Sequence, residues 1–206
     1  MLRLAIETTT QTGSIAVGDD ESGPELHGLP TDRRSAATLI PTIDDALGGH
    51  RPTEIAVAAG PGSFTGLRIA VVTAKTLAYA WRIPVVPVGS LAAIAVAAMI
   101  RRPDWTSCRV ALNAYRRQAF VGVFDGSGGA SDEDCVAVDA VQRDDRPLVS
   151  DLESLSPDAA VPPSAEGVWH LAARGEPVDP FALAVRYLKP SAAEEKAGLS
   201  TPPKAS

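Results

Sequence analysis

Cysteine is nearly missing from this chain: there are two, Cys108 and Cys135, far apart and in no Cys-x-x-Cys pair. A disulfide scaffold is therefore not expected, and a reducing, cytoplasmic setting fits best. Histidine is also sparse. His27, His50 and His170 form no His-x-x-x-His or His-Glu-x-x-His pattern, which leaves a zinc hydrolase without support. No basic excess exists to suggest a free-standing nucleic-acid binder, because the formal net charge is -6. The start, MLRLAIETTT, lacks the basic, apolar and small-residue regions of a signal peptide. The longest apolar run, Leu91 to Ile100, is too short to span a bilayer and reads as a buried alanine-rich helix with Ser90 as its N-cap.

What is present is an ordinary folded composition: 206 residues, 45% hydrophobic and 21% charged. That length suits one large domain or two small lobes. Strands are expected at Leu2–Ile6, Ser14–Val17 and, more weakly, Glu25–Leu29. Leu39, Ile43 and Leu47 recur at helical spacing within Ser35–Leu47, and Gly48-Gly49 ends that helix. A strand at Ile55–Ala59, a helix at Phe64–Trp81, a strand at Ile83–Val88 and a helix at Ser90–Arg101 follow. Antiparallel strands come first, and βα units that favour parallel pairing come next. The second half carries a hairpin, Arg109–Leu112 with Ala119–Phe124, a strand at Cys135–Val141, an irregular stretch from Pro147 to Pro163 and a short helix at Ser164–Arg174. Asp125-Gly-Ser-Gly-Gly129 reads as a connector.

A faint internal repeat links the halves. Laying Ala5-Ile6-Glu7 on Ala111-Leu112-Asn113 also lays Ile15–Asp19 on Val121–Asp125. Two similar lobes of this strand order would form a ribonuclease-H-like pair, the α/β arrangement of actin-like ATPases, here with the second lobe reduced. The expected division is an N-terminal lobe over 1–103, a C-terminal lobe over 104–197 and a disordered tail over 198–206.

The glycine-rich stretch Gly60-Pro61-Gly62-Ser63-Phe64-Thr65-Gly66 opens the longest helix. Glycines permit close backbone approach, and a helix N-terminus offers free N–H groups to an anion. However, no Gly-Lys-Ser/Thr follows, the spacing is not Gly-x-Gly-x-x-Gly, and Pro61 removes a donor. Nor is Ser63 in a Gly-x-Ser-x-Gly elbow. The helix instead repeats small residues at Gly66, Ala70, Ala74 and Ala78, beside Leu67, Val71 and Leu77, with Ile69 and Val72 off that stripe. Such a helix covers its sheet and also meets a second lobe or a second subunit. Glu7 ends the first strand and is followed by Thr8. In an actin-like ATPase an acid there helps hold metal and nucleotide, but its counterpart, Asn113, is uncharged, which makes a weaker magnesium site. Arg116-Arg117 reads as a solvated basic turn, with contact to tRNA left open.

The stretch Ala59 to Ile69 (AGPGSFTGLRI) resembles the signature of the bacterial TsaB (YeaZ) family. Leu4-Ala-Ile-Glu-Thr-Thr9 is similar to the family's opening strand, Leu39-Ile-Pro41 to its Leu-Leu-Pro helix, Pro163 to Ala172 to its Pro-x-Ala helix, and Arg186 to Glu194 to its closing Tyr-Leu-Arg segment. The resemblance covers nearly the whole chain and is strongest over 55–92. It implies a non-catalytic scaffold in the synthesis of N6-threonylcarbamoyladenosine (t6A) in tRNA. The implied partners are a TsaD-type paralogue, which carries the ATP and metal and performs the transfer, and a TsaE-type ATPase. It further implies contact with TsaD or with a second copy of the chain, a homodimer, and contact with tRNA only through the complex. No cofactor or metal is expected on this subunit. The implied interface is Gly60, Pro61, Gly62, Ser63, Phe64, Thr65, Gly66, Leu67, Arg68, Ala70, Val71 and Ala74. Glu7, Thr8 and Asn113 would be the vestige of a nucleotide site. The family's older label, glycoprotease-like or peptidase M22, finds no support in the scattered histidines. The chain departs from the family pattern at Glu7 (usually Asp), at Ser35-Ala36 (often His-Ser) and at Asn113-Ala-Tyr-Arg-Arg117 (usually Asp-Ala-Arg-Arg), and its C-terminal half is short. These departures weaken nucleotide binding and leave the interface untouched. The alternative is an actin-like ATPase or other nucleotide-binding enzyme acting alone.

Overall fold

A computed structural model describes residues 1–10, 12–30, 35–129 and 133–190. The expected tail over 198–206, and the closing segment beyond Pro190, lie outside the described residues. The chain is a mixed α/β protein with two sheets. The first contains β1 (Arg3–Glu7), β2 (Ser14–Asp19), β3 (Gly23–Gly28), β4 (Glu54–Gly60) and β5 (Val85–Gly89), in the order β3-β2-β1-β4-β5. β1 pairs antiparallel with β2 and parallel with β4, and β4 pairs parallel with β5. Every residue of β1 and β4 is buried, as expected for central strands that read as continuous apolar runs.

Side chains alternate across a strand, and this sheet divides them by size. Leu4, Ile6, Ile15, Ile55 and Val57 face one side, where α1 (Ser35–Leu47) and α2 (Phe64–Trp81) pack. Ala5, Ala16, Ala56 and Ala58 face the other and admit the bulky Trp169 of α4 (Ala165–Ala172). Arg3 ties this side together. It is buried, pairs with Glu54, lies 3.4 Å from Asp20, and places its guanidinium 4.9 Å from the Trp169 ring centroid.

The second sheet contains β6 (Ser107–Asn113), β7 (Gln118–Asp125), β8 (Asp134–Ala137) and β9 (Leu148–Ser150), in the order β8-β7-β6-β9. Again the first strand pairs antiparallel with its hairpin partner and parallel with a later strand. Helix α3 (Ser90–Arg101) lies against this sheet, with Leu91 through Met99 buried, as the unbroken apolar run predicts. Its crossing with α4 is tight: a Cβ on Gly167 would stand 2.1 Å from the Ala93 carbonyl oxygen. Thus α4, late in the sequence, covers the first sheet, and α3, early in the sequence, lines the second.

Three sequence expectations are corrected. The stretch from Pro147 to Pro163, read as irregular, contains β9 and a 3-10 turn at Glu153–Leu155. Three residues are too few to show an alternating pattern, so tertiary pairing, parallel to β6 and through a bridge from Val149 to Ala159, creates this strand. Ser90 is not the cap of α3; Gly89 occupies that position, and the buried Ser90 hydroxyl has no hydrogen-bond partner among the described residues. The internal repeat is also shifted in its second strand. Glu7 pairs with Ser14, whereas Asn113 pairs with Ala119, so the second hairpin loop is one residue shorter. Asp19 therefore corresponds in register to Phe124, not to Asp125. Among the described residues, no helix is long and apolar enough to cross a membrane. Neither Cys108 nor Cys135 forms a disulfide among the described residues.

Candidate functional site

The glycine-rich loop packs on its own protein. A Cβ on Gly66 would stand 1.8 Å from the Thr8 carbonyl oxygen, and one on Gly62 would stand 2.5 Å from the Thr9 Cβ. The Ser63 N–H donates to the Thr9 carbonyl at 2.9 Å, and the Thr8 hydroxyl donates to the Gly66 carbonyl at 2.8 Å. The Ser63 hydroxyl caps α2 through the Gly66 N–H at 3.4 Å. The two glycines thus make room for the turn after β1, which packs directly on the loop. Gly60, with φ of 121°, adopts a backbone open chiefly to glycine, and its Cβ would strike the Arg186 carbonyl oxygen at 2.2 Å.

Glu7 is fully enclosed beneath this turn. Its Oε1 accepts the Thr9 N–H at 2.6 Å and the Thr9 hydroxyl, while Oε2 has no hydrogen-bond partner among the described residues. Burial outweighs those bonds and pushes its pKa up to about 7. Asn113, its counterpart, is engaged locally: its N–H donates to Asp151 at 2.8 Å, and its Oδ1 accepts the Tyr115 N–H at 2.8 Å. The two side chains thus have separate partners. The turn that follows Asn113 is strained. Tyr115, Arg116 and Arg117 have φ of 60°, 52° and 58°, a left-handed run that costs roughly 1–2 kcal/mol per residue. Arg117 pairs with Asp139 at 3.0 Å, both exposed.

Between the loop at Gly62–Phe64, which follows β4, and the turn at Asn113–Arg116, which follows β6, lies a cavity of about 190 Å³. Phe120, Tyr187 and Lys189 complete its walls. Small-molecule sites commonly occupy ~300–1,000 Å³. This space is small for a nucleotide.

Helix α2 turns its small-residue stripe inward. Gly66, Leu67, Ala70, Val71, Ala74 and Ala78 are buried, and Ala70, Val71, Ala74 and Ala78 belong to the core cluster beneath the first sheet. Of the expected interface, the side chains of Leu67, Ala70, Val71 and Ala74 are buried within the protein's own fold, because small residues allow the helix to lie close on its sheet. The outward stripe is Thr65, Arg68, Val72, Thr76 and Tyr79. Val72 is 61% exposed and Tyr79 65%, and α1 adds Ile40 at 48%.

Sequence reasoning missed one element of the site. Residues 178–190 form an extended strap along α2. Val178 bridges to Val85, the Arg186 N–H donates to the Ala59 carbonyl at 2.8 Å, and Lys75 Nζ donates to the Leu183 carbonyl at 2.9 Å. Tyr187 stacks on Phe64 with centroids 5.0 Å apart, while Arg68 lies over Phe64 at 3.9 Å and donates to the Tyr187 hydroxyl at 3.3 Å. The only advance signal was the Arg186-Tyr-Leu-Lys run.

With this geometry established, comparison with known proteins is informative. A family model described as "TsaD: tRNA N6-adenosine threonylcarbamoyltransferase" matches residues 31–145, more than half of the chain. The relatives named TsaB include one from Haemophilus influenzae, 33% identical over 46% of this chain, and one from Bacillus subtilis, 31% identical over 63%. A Pseudomonas aeruginosa structure described as YeaZ superposes with a TM-score of 0.79 at 27% identity, covering 91% of this chain and 99% of that one. The chain belongs to this family, in its TsaB (YeaZ) branch. A second Pseudomonas aeruginosa structure, of an uncharacterized protein with similarity to peptidase YEAZ, gives the same TM-score at 26% identity. The matched stretches span 42% and 57% of the two TsaB relatives, about half of their lengths.

Proposed function

We propose that this TsaB-family chain is a non-catalytic scaffold and activator subunit in t6A synthesis on tRNA, and that it docks a TsaD-type transferase through the outward face of α1 and α2. The observation that carries this reading is the signature loop itself. Its glycines and the Ser63 N–H are engaged by Thr8 and Thr9, which supports a loop used for packing within the protein and not for holding a phosphate. The repeated strand order of the two sheets fits a two-lobed actin-like architecture whose second lobe is reduced and whose nucleotide cleft has lost its use. Catalysis, ATP and metal then belong to the TsaD-type partner, a TsaE-type ATPase joins the pair, and tRNA contacts the assembly as a whole. A cytoplasmic setting follows from that substrate. In the absence of the transferase, a second copy of the chain could cover the same face.

The test is reconstitution. A TsaD-type transferase, a TsaE-type ATPase, a threonylcarbamoyl donor and tRNA are combined with and without this chain, and t6A is measured by mass spectrometry. Product should require the chain, and the chain alone should form none. An equal yield without it would refute the proposal.

A further inference from the structure

We infer that residues 178–190 are an interlobe latch: the segment joins the first sheet to the second and forms one wall of the cavity between them, so that its release opens that cavity. This inference stands apart from the t6A reading, because it rests only on contacts within the chain.

The segment holds both halves. Toward the first sheet, Leu183 is buried in the core beneath α2, and Arg186 bonds the end of β4 through its backbone. Toward the second, the Arg186 guanidinium pairs with Glu133 beside β8, and Lys189 Nζ donates to the Ala114 carbonyl and, at 3.3 Å, to Gln118. Tyr187 lies between these attachments, on the Phe64 face that lines the cavity. The segment forms no helix or ladder. Leu183 is its one fully buried side chain; Val178 and Val185 are partly buried against the first core and Leu188 against the second, while Phe181 is 73% exposed. Stretches with few buried apolar contacts open at low free energy, well below global unfolding. The latch is therefore held at a few discrete points, Val178, Leu183, Arg186 and Lys189, with exposed residues between them, which is the arrangement that permits local release.

Hydrogen–deuterium exchange read by mass spectrometry tests this on the intact chain. In Tyr187→Ala, exchange should rise in 178–190 and also at both cavity walls, 62–66 and 113–118, by roughly five- to tenfold, the factor for losing one aromatic pair. Strands β1 and β4 should keep their protection. Tyr187→Phe should retain the stack and behave nearly as wild type, and Glu133→Gln, which removes the Arg186 ion pair, should loosen the 113–118 wall by a route that leaves the stack intact. If exchange rises only within 178–190, the walls are not coupled and the latch is refuted. If β1 and β4 lose protection together with the strap in both Tyr187→Ala and Glu133→Gln, the segment is an ordinary core element and the inference also fails.

Discussion

Glu7 is the residue whose chemistry is most altered by the fold. Its pKa rises from 4.5 to about 7 because burial removes water from the carboxylate. The folded state therefore prefers the protonated acid. Below pH ~4.5 both folded and unfolded chains hold the proton and no penalty exists. As pH climbs from there through 7, the unfolded chain releases its proton more readily, and stability on the order of 3 kcal/mol is lost. Glu7→Gln should abolish this slope: denaturant midpoints of the two proteins should be closer at pH 5 than at pH 8, with the variant the more stable at pH 8. Gly66 offers a second test. In an open helix Gly→Ala gains ~1 kcal/mol. Here the added methyl meets the Thr8 carbonyl at 1.8 Å, a backbone atom that cannot move cheaply. Gly66→Ala should therefore destabilise by about 2 kcal/mol or more, read as a lower denaturation midpoint. The sequence made the need for glycine legible, but not its reason. Thr8 and Thr9 lie far away in the chain, and no local pattern reports that approach.

Among the elements, α2 determines how a partner can be met. Its length was legible, as were those of α1 and α3, because apolar spacing and the Gly48-Gly49 stop agree. Its facing was not. A helix with apolar residues on more than one side does not disclose which side the sheet takes, and the small-residue stripe lies inward. Substitutions on the two stripes should therefore differ in effect. Ala74→Arg, at a position with no exposure, should unfold the protein, and its melting transition should be lost or lowered by about 10 °C or more, as expected for a large core insult of several kcal/mol. Val72→Arg, on the outward stripe, should leave the melting temperature within about 2 °C. β9 and the strap escaped sequence reading for a shared reason. Short or extended segments carry no period, and only their tertiary partners define them.

At the scale of the molecule, the two sheets share four strands of one order, although the sequence repeat between them is faint. Burial constrains each strand to be apolar but not to be any particular residue, so pattern outlasts identity. The cleft between the sheets is narrowed by Phe64, Tyr187 and the turn from Asn113 to Arg116. Isothermal titration with Mg-ATP should accordingly give no heat of binding up to millimolar concentration; a saturating isotherm would restore the reading of an enzyme acting alone. The central claim is that the outward face of α2 receives a TsaD-type transferase. It is tested most directly by the dissociation constant of that pair, measured for wild type and for Val72→Arg. The account predicts a stable wild-type complex, weakened at least about tenfold by the buried charge while the variant stays folded. An unchanged constant, or no wild-type complex at all, would contradict it.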